Sequence, residues 1–383
     1  MRFPLAPPSL PDLESACRLP CSAIVVALGL TLVAAPAGAG TNSGTPAVVQ
    51  AMEVPGPGRH APFVHAPSLA GLPSGELAVT WYEASHARGR DAAIYGVRGV
   101  PGAGRWTEPA VWADTPGLPD ANPVLFRDPR DRLWLFYGTR LAGWSVAWVR
   151  ARRSADDGHT WDAPRFLTRL PGYLPRATPI VLRNGAWVLP VYHEERGSRF
   201  LLSADGGETW TWSSLIASAP LNIQPAVVEL GAGRLLALLR NRGMGQAWAT
   251  RSADGGKTWD PPALTGIRNP DTSLALIRLR RGTLALVYND SAAHRTALAV
   301  ALSEDEGRTW PAQGLLDGCA VDAGGSASYP AAAEGPDGTI HVVYAVGERR
   351  IRYVRADPNV IREAGQPPQR CETSAAAAHG IGP

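Results

Sequence analysis

Six times along the chain a tight polar turn is followed by an apolar–aromatic run. These runs are Ser74–Tyr82, Asp131–Tyr137, Asn184–Tyr192, Gly233–Leu239, Arg281–Tyr288 and Asp337–Tyr344. A shorter apolar segment precedes each one: Ala66–Gly71, Asn122–Phe126, Thr178–Leu182, Gln224–Leu230, Ser273–Leu279 and Tyr329–Ala333. A third run follows each. Short runs of β-branched and aromatic residues, punctuated by Gly, Asn and Asp, predict strands joined by hairpins. No stretch carries the apolar spacing of an amphipathic helix, which argues against an α/β chain.

A second phrase closes four of these units. It reads Ser-x-Asp-x-Gly-x-Thr-Trp at Ser154–Trp161, Ser203–Trp210, Ser252–Trp259 and Ser303–Trp310, with starts 49, 49 and 51 residues apart. A fixed period of this length marks a stacked or radial β-unit. In such a turn Asp bonds its own backbone, Gly takes positive φ, and Trp plugs the gap beneath the hairpin. The unit after the first run ends in a worn copy, Arg98 to Pro109. The sixth unit, ending at Ile351–Arg355, lacks a fourth strand, and Ala47–Val54 can supply it. Pairing the N-terminal strand with the last unit closes the ring and leaves no open sheet edge. The expected fold is therefore all-β, a six-bladed β-propeller of four-stranded antiparallel blades over residues 41–360.

The phrase resembles the Asp-box of the sialidase superfamily, and the resemblance covers about residues 47–357. His65–Ser68, Asn122–Asp128, Ile223–Pro225 and Ser328–Pro330 together resemble the bacterial predicted-neuraminidase branch with BNR-like repeats. The boxes themselves are read as fold staples.

Composition narrows the partners. A net charge of +3 over 383 residues, with no basic stripe, gives no footprint for nucleic acid. No Cys/His spacing resembles a metal site, so neither metal nor cofactor is expected. The expected partner is an acidic glycan or sialoside, met by a monomer. Residues 1–40 hold one apolar run, Ala23–Ala35, followed by small residues. That run is short for a membrane span and suits a signal peptide cleaved near Ala39, so a secreted or periplasmic protein is expected, an uncleaved anchor being the alternative. Cys17 and Cys21 would leave with the leader. Cys319 and Cys371 would remain, either bridged or as two free thiols. The Ala/Gly/Pro-rich segment 361–383 is expected to be a loose tail.

In a propeller the first strands line the axis, and their starts ring one mouth together with the loops after the second strands. Those positions carry His65, Asn122, Arg176, Gln224, Asp271 and Tyr329, and then Glu83, Arg240, His193, Glu194, Glu195 and Arg295 among others. So many polar groups around one axis need water or a ligand. Arg offers a planar fork suited to a carboxylate. A hydrated mouth with internal salt bridges is the bland alternative.

The resemblance implies roles for some of these residues. Sialidases hold a sugar carboxylate with three arginines and use a tyrosine nucleophile paired with a glutamate, with an aspartate as acid/base. Tyr329 matches the nucleophile, Arg240 the second arginine and Arg295 the third, each in register with a neighbouring repeat. Three positions depart: His65 stands for the first arginine, Gln224 for the paired glutamate, and the loop Glu83–Asp91 is short where the acid/base aspartate should lie. Catalytic candidates are thus Tyr329, Glu83, Asp91 and His65, although Asp91 resembles the structural aspartate that opens the third strand. Asn122, His193, Glu194, Arg240, Arg295 and Gln224 are candidates for substrate binding. Gln224 cannot take the phenol's proton, and Glu194 or Glu195 could substitute. His65 could bind a carboxylate or move protons itself, since imidazole titrates near pH 6.5. Three functions stay open: a sialidase-type exo-glycosidase on an acidic sugar, another hydrolase or a lyase on an acidic glycan, and a glycan-binding propeller without turnover.

Overall fold

The computed structural model describes residues 48–56, 62–168, 170–243, 245–317 and 325–364. The leader with its cleavage site, and Cys319 and Cys371, lie outside the described residues. Strands gather into six antiparallel sheets; five follow chain order from inner to outer strand, and the sixth takes its outer strand from the N-terminal end of the described chain. Blade 1 opens with Phe63–Gly71, blade 2 with Asp120–Arg127, blade 4 with Asn222–Gly231, blade 5 with Ala275–Arg278 and blade 6 with Ala327–Glu334. The inner edge of blade 3 is split into two short pieces, Leu174–Pro175 and Ile180–Val181, both paired with Trp187–His193. Val48–Glu53 pairs antiparallel with Arg350–Ala356 and completes blade 6, as the open sixth unit required. A helix, Pro358–Ala364, follows with Ile361 fully buried. Packed chain therefore runs past residue 361, where a loose tail was expected to begin.

The core is not central but divided among the blade interfaces. Six larger clusters of buried side chains form, one between each pair of neighbouring blades. Adjacent residues serve opposite faces: Val124 packs toward blade 3 and Leu125 toward blade 1. This is the period-2 alternation of a strand buried on both sides, which explains why the apolar runs are continuous.

The four boxes share one geometry. In the second, Ser203 Oγ accepts from the Gly207 N–H at 2.8 Å and donates to Asp205 at 2.7 Å, while Asp205 accepts from the Thr209 N–H at 2.9 Å. The other three repeat these bonds. The box tryptophans reach back to the preceding blade. Trp161 packs on Trp112 (5.3 Å between centroids), Trp210 on Phe136 (6.0 Å) and Trp259 on Phe200 (4.4 Å), and Trp310 joins the cluster between blades 4 and 5. In the worn copy Trp106 still meets Tyr353 of blade 6. The boxes thus staple blade to blade rather than merely closing their own hairpins.

Candidate functional site

Four inner strands carry one non-glycine residue in the left-handed region, Ala66, Asn122, Gln224 and Tyr329, and Asp271, just ahead of the inner strand of blade 5, makes a fifth, all with φ between 51° and 57°. Four of them precede a proline, and at those four the pairing register breaks. Proline removes a ladder donor and disfavours the right-handed helical region for the residue before it. The resulting bulge re-aims that residue's side chain. Each such conformation costs on the order of 1–3 kcal/mol and persists only where the surroundings impose it. Asn122, Gln224, Asp271 and Tyr329 all enter one hydrogen-bonded network. In blade 1 the left-handed residue is Ala66, and His65 beside it supplies the side chain.

Tyr329 is the hub. Its hydroxyl accepts from Arg240 Nη1 at 2.8 Å and from Gln224 Nε2 at 3.4 Å. Arg240 Nη1 also donates to Gln224 Oε1 at 2.9 Å, and Arg240 Nε to Asp271 at 2.7 Å. Gln224 Nε2 and Asn122 Nδ2 donate to the Tyr192 hydroxyl at 3.2 and 2.9 Å. Arg295 donates to the Asp271 carbonyl. Below them Arg176 spans the axis, donating to the carbonyls of Tyr329 (2.6 Å), Pro67 (3.1 Å) and Pro330 (3.2 Å). Its guanidinium stands 5.2 Å from the Tyr329 ring centroid. The His65 ring lies 4.1 Å from the same ring on another side.

Charge follows geometry. Burial works against ionising Tyr329, but Arg240 first, then the Gln224 hydrogen bond, Arg295 and Arg176, outweigh it and hold the phenol below its ordinary value near 10. Burial pulls His65 down to about 3, helped by Arg176, Arg295 and Arg240. Its Nδ1 is buried without a hydrogen-bond partner. His65 is therefore a neutral imidazole at neutral pH. It neither replaces a carboxylate-binding cation nor holds a proton to give. Burial raises the Glu194 carboxyl against the pull of Arg242 and Arg240.

A cavity of about 190 Å³ opens above Tyr329, lined by His65, Tyr82, Arg88, Asn122, Trp144, Tyr192, Glu194, Arg240, Arg295 and Glu348 among others. A second cavity of about 670 Å³ continues outward, and Arg88, Trp144 and Glu194 line both. Of the residues singled out in the sequence, Tyr329, His65, Asn122, Arg240, Arg295 and Glu194 meet at the inner cavity, with Gln224 bonded beneath them.

Three do not. Glu83 follows Tyr82 on the same strand; Tyr82 faces the cavity, so Glu83 points to the other side of the sheet. There it accepts from Trp81 Nε1 at 2.8 Å, and burial raises its carboxyl to about 7 despite that bond. Asp91 accepts from the Ser85 N–H and hydroxyl at 3.0 and 2.9 Å and staples its own loop. His193 stands apart from both cavities, accepting from the Glu195 N–H through Nδ1 and packing on Tyr173. Tyr192, Tyr82 and Trp144 were not foreseen. The tyrosines close apolar runs and read as core; the end of the run was the only signal.

A model of the BNR repeat-like domain matches residues 75–342. The chain belongs to the BNR repeat-like domain family. No curated protein matches it. Among solved structures it resembles a Hadza microbial sialidase at 20% identity and a TM-score of 0.69, over 78% of this chain and 66% of that one, just under two thirds of its length. It also resembles a protein of unknown function from Dyadobacter fermentans (20% identity, TM-score 0.68, 80% and 98% covered). A third neighbour is the leech intramolecular trans-sialidase complexed with 2,7-anhydro-Neu5Ac (14% identity, TM-score 0.67, 80% and 69% covered). These likenesses show that this BNR-repeat chain has the sialidase propeller fold.

Proposed function

We propose that this BNR-repeat protein is an exported exo-glycosidase of sialidase type, acting on a terminal sugar that carries a carboxylate. The observation that carries this reading is the Tyr329 hydroxyl held at 2.8 Å from Arg240, with its phenol kept below its ordinary range. A nucleophile can be activated by a base or by a lowered pKa. Gln224 cannot be the base, and the guanidiniums around Tyr329 supply the second route. Arg240 and Arg295 offer the sugar carboxylate charged donors.

The Tyr329 phenolate oxygen attacks the anomeric carbon as the bond to the leaving oxygen breaks, and a protonated Glu194 gives its proton to that oxygen. Water then attacks the glycosyl–tyrosine, Glu194 takes its proton, and the phenolate leaves. Glu194 is assigned this role because it is the carboxylate that lines both cavities, where the scissile oxygen would lie. Burial shifts its carboxyl upward, the direction that favours a proton donor. The lyase reading loses support because burial holds His65 at about 3, which makes it too weak a base to take a proton from a sugar carbon.

The test is release of sialic acid from a fluorogenic sialoside, run beside an ultraviolet assay for unsaturated uronate. Turnover of the sialoside that is abolished by Tyr329→Phe is expected. A uronate signal without sialic acid release overturns the reading. Export is tested by N-terminal sequencing of protein secreted from a bacterial host, which should begin near Gly40; an intact leader in a cytosolic fraction overturns it.

A further inference from the structure

The outer cavity has its own chemistry. Four arginines line it, Arg88, Arg90, Arg140 and Arg242, against two carboxylates, Glu194 and Glu195. The carboxylates are already engaged. Glu194 accepts from Arg242 Nη1 at 2.9 Å, and Glu195 accepts from the Ser145 hydroxyl at 2.8 Å. Among the described residues Arg88, Arg90 and Arg140 make no ion pair. Arg140 is the most telling, being only 4% exposed. One Nη donates to the Gly89 carbonyl at 2.8 Å, but Nε is buried with no partner. A buried charge without a counter-ion is costly and is retained where a ligand supplies one. The Arg140 guanidinium lies 4.3 Å from the Trp144 ring centroid, and Trp144 is half-buried with its ring at the junction of the two cavities. An aromatic ring there is a platform for the apolar face of a sugar.

From this excess of unpaired positive charge beside an aromatic platform, we infer that the outer cavity binds an acidic leaving sugar, so that the preferred substrate is an oligosaccharide with anionic groups on both sides of the scissile bond. The inference rests on the exo-glycosidase reading for the position of that bond, but not for the charge of the cavity. Arg88 and Arg90 are exposed at its rim and meet the anion there, while Arg140 sets a positive field from the floor.

The experiment compares a disialic acid dimer, whose leaving sugar is anionic, with sialyllactose, whose leaving sugar is neutral. Cleavage and calorimetric binding are both read, on the full chain at low and high salt. Wild type is expected to prefer the dimer by about tenfold in kcat/KM, with the preference shrinking as salt screens the charges. Arg90→Gln should reduce the preference several-fold and Arg90→Glu should reverse it. Arg90 is exposed, so both variants should keep the wild-type circular dichroism. Equal use of both sugars by wild type, or a preference that neither variant changes, overturns the inference and leaves the exo-glycosidase reading intact. Salt- and Arg90-dependent binding of the dimer without cleavage of either sugar overturns the exo-glycosidase reading and supports the cavity's specificity. Neither binding nor cleavage overturns both.

Discussion

Arg240 Nη1 and the Tyr329 hydroxyl lie 2.8 Å apart, joining blade 4 to blade 6 across the propeller axis. The same Nη1 holds Gln224 Oε1, and Nε holds Asp271, so two side chains fix the guanidinium where it meets the phenol. Burial works against the Arg240 charge, and the neighbouring Tyr329 and Asp271 more than offset it. A glutamate at 224 would put a negative charge beside the phenol and raise its pKa. Gln224 leaves the phenolate as the site's own anion.

Removing Arg240 should therefore do two things. Arg240→Met is expected to move the Tyr329 phenol up toward its ordinary range, read as a shifted ultraviolet phenolate titration that Tyr329→Phe abolishes. The lost charged contact should cost about 1.5–3 kcal/mol, roughly ten- to a hundredfold in kcat/KM. An unmoved titration would show that Arg240 does not set the ionisation of Tyr329.

Glu194 and Glu83 make a paired test. Glu194→Gln is expected to lower turnover by about 10²–10⁴ on a sugar with an alkoxide leaving group, and much less on an activated aryl glycoside that needs no protonation. Glu83→Gln should leave turnover close to wild type, because its side chain faces Trp81 rather than the cavity. If Glu83→Gln is the inactive variant, the acid lies on the other face of blade 1 and the assignment fails.

How far the sequence reached is clear from these residues. The blade count, the closure by Val48–Glu53 and the convergence of Tyr329, Arg240 and Arg295 could all be read from repeat spacing, because each repeat fixes a strand and its register. Phase was harder. A strand turns its side chains over at every residue, so Glu83, one position beyond Tyr82, lies on the wrong face, and of the neighbouring candidates His193 and Glu194 only Glu194 turns inward. Tyr192 sits at the end of a run that is core for most of its length. Arg140 is legible as a mouth residue from its place after the second strand of its blade, whereas no local pattern announces Trp144, which lies at the junction of the two cavities.

His65 gives an acid-stability prediction with a definite sign. Its folded-state value is about 3 against 6.5 for a free imidazole, so between those limits the unfolded chain binds a proton that the folded chain does not. Stability then rises with pH across this window and is lost on acidification. Between pH 7 and pH 4 the loss from this one group is on the order of 3 kcal/mol. Urea unfolding at the two pH values should show it in wild type, and His65→Gln should lose correspondingly less. An equal loss in both would mean that His65 titrates normally.

The last prediction concerns the staples. Gly207 of the second box has φ of 85°, and a Cβ there would stand 2.7 Å from the Trp187 ring and 2.9 Å from Trp134. Trp134 is fully buried in blade 2 and Trp187 nearly so in blade 3, with ring centroids 5.3 Å apart edge to face. Neither can retreat without opening the cluster between the two blades. Gly207→Ala therefore combines a left-handed alanine, costing on the order of 1 kcal/mol, with overpacking of a rigid aromatic pair, typically about 1–3 kcal/mol. A loss of roughly 2–4 kcal/mol in urea unfolding is expected. Gly206, the residue before it with φ of 72°, has no atom within 4 Å of an added Cβ, so Gly206→Ala should show the backbone term alone. The two variants thus separate strain from packing. If both lose the same amount, the aromatic contact adds nothing and the box acts only through its turn. A larger loss at Gly207 means that the box holds neighbouring blades together through Trp134 and Trp187.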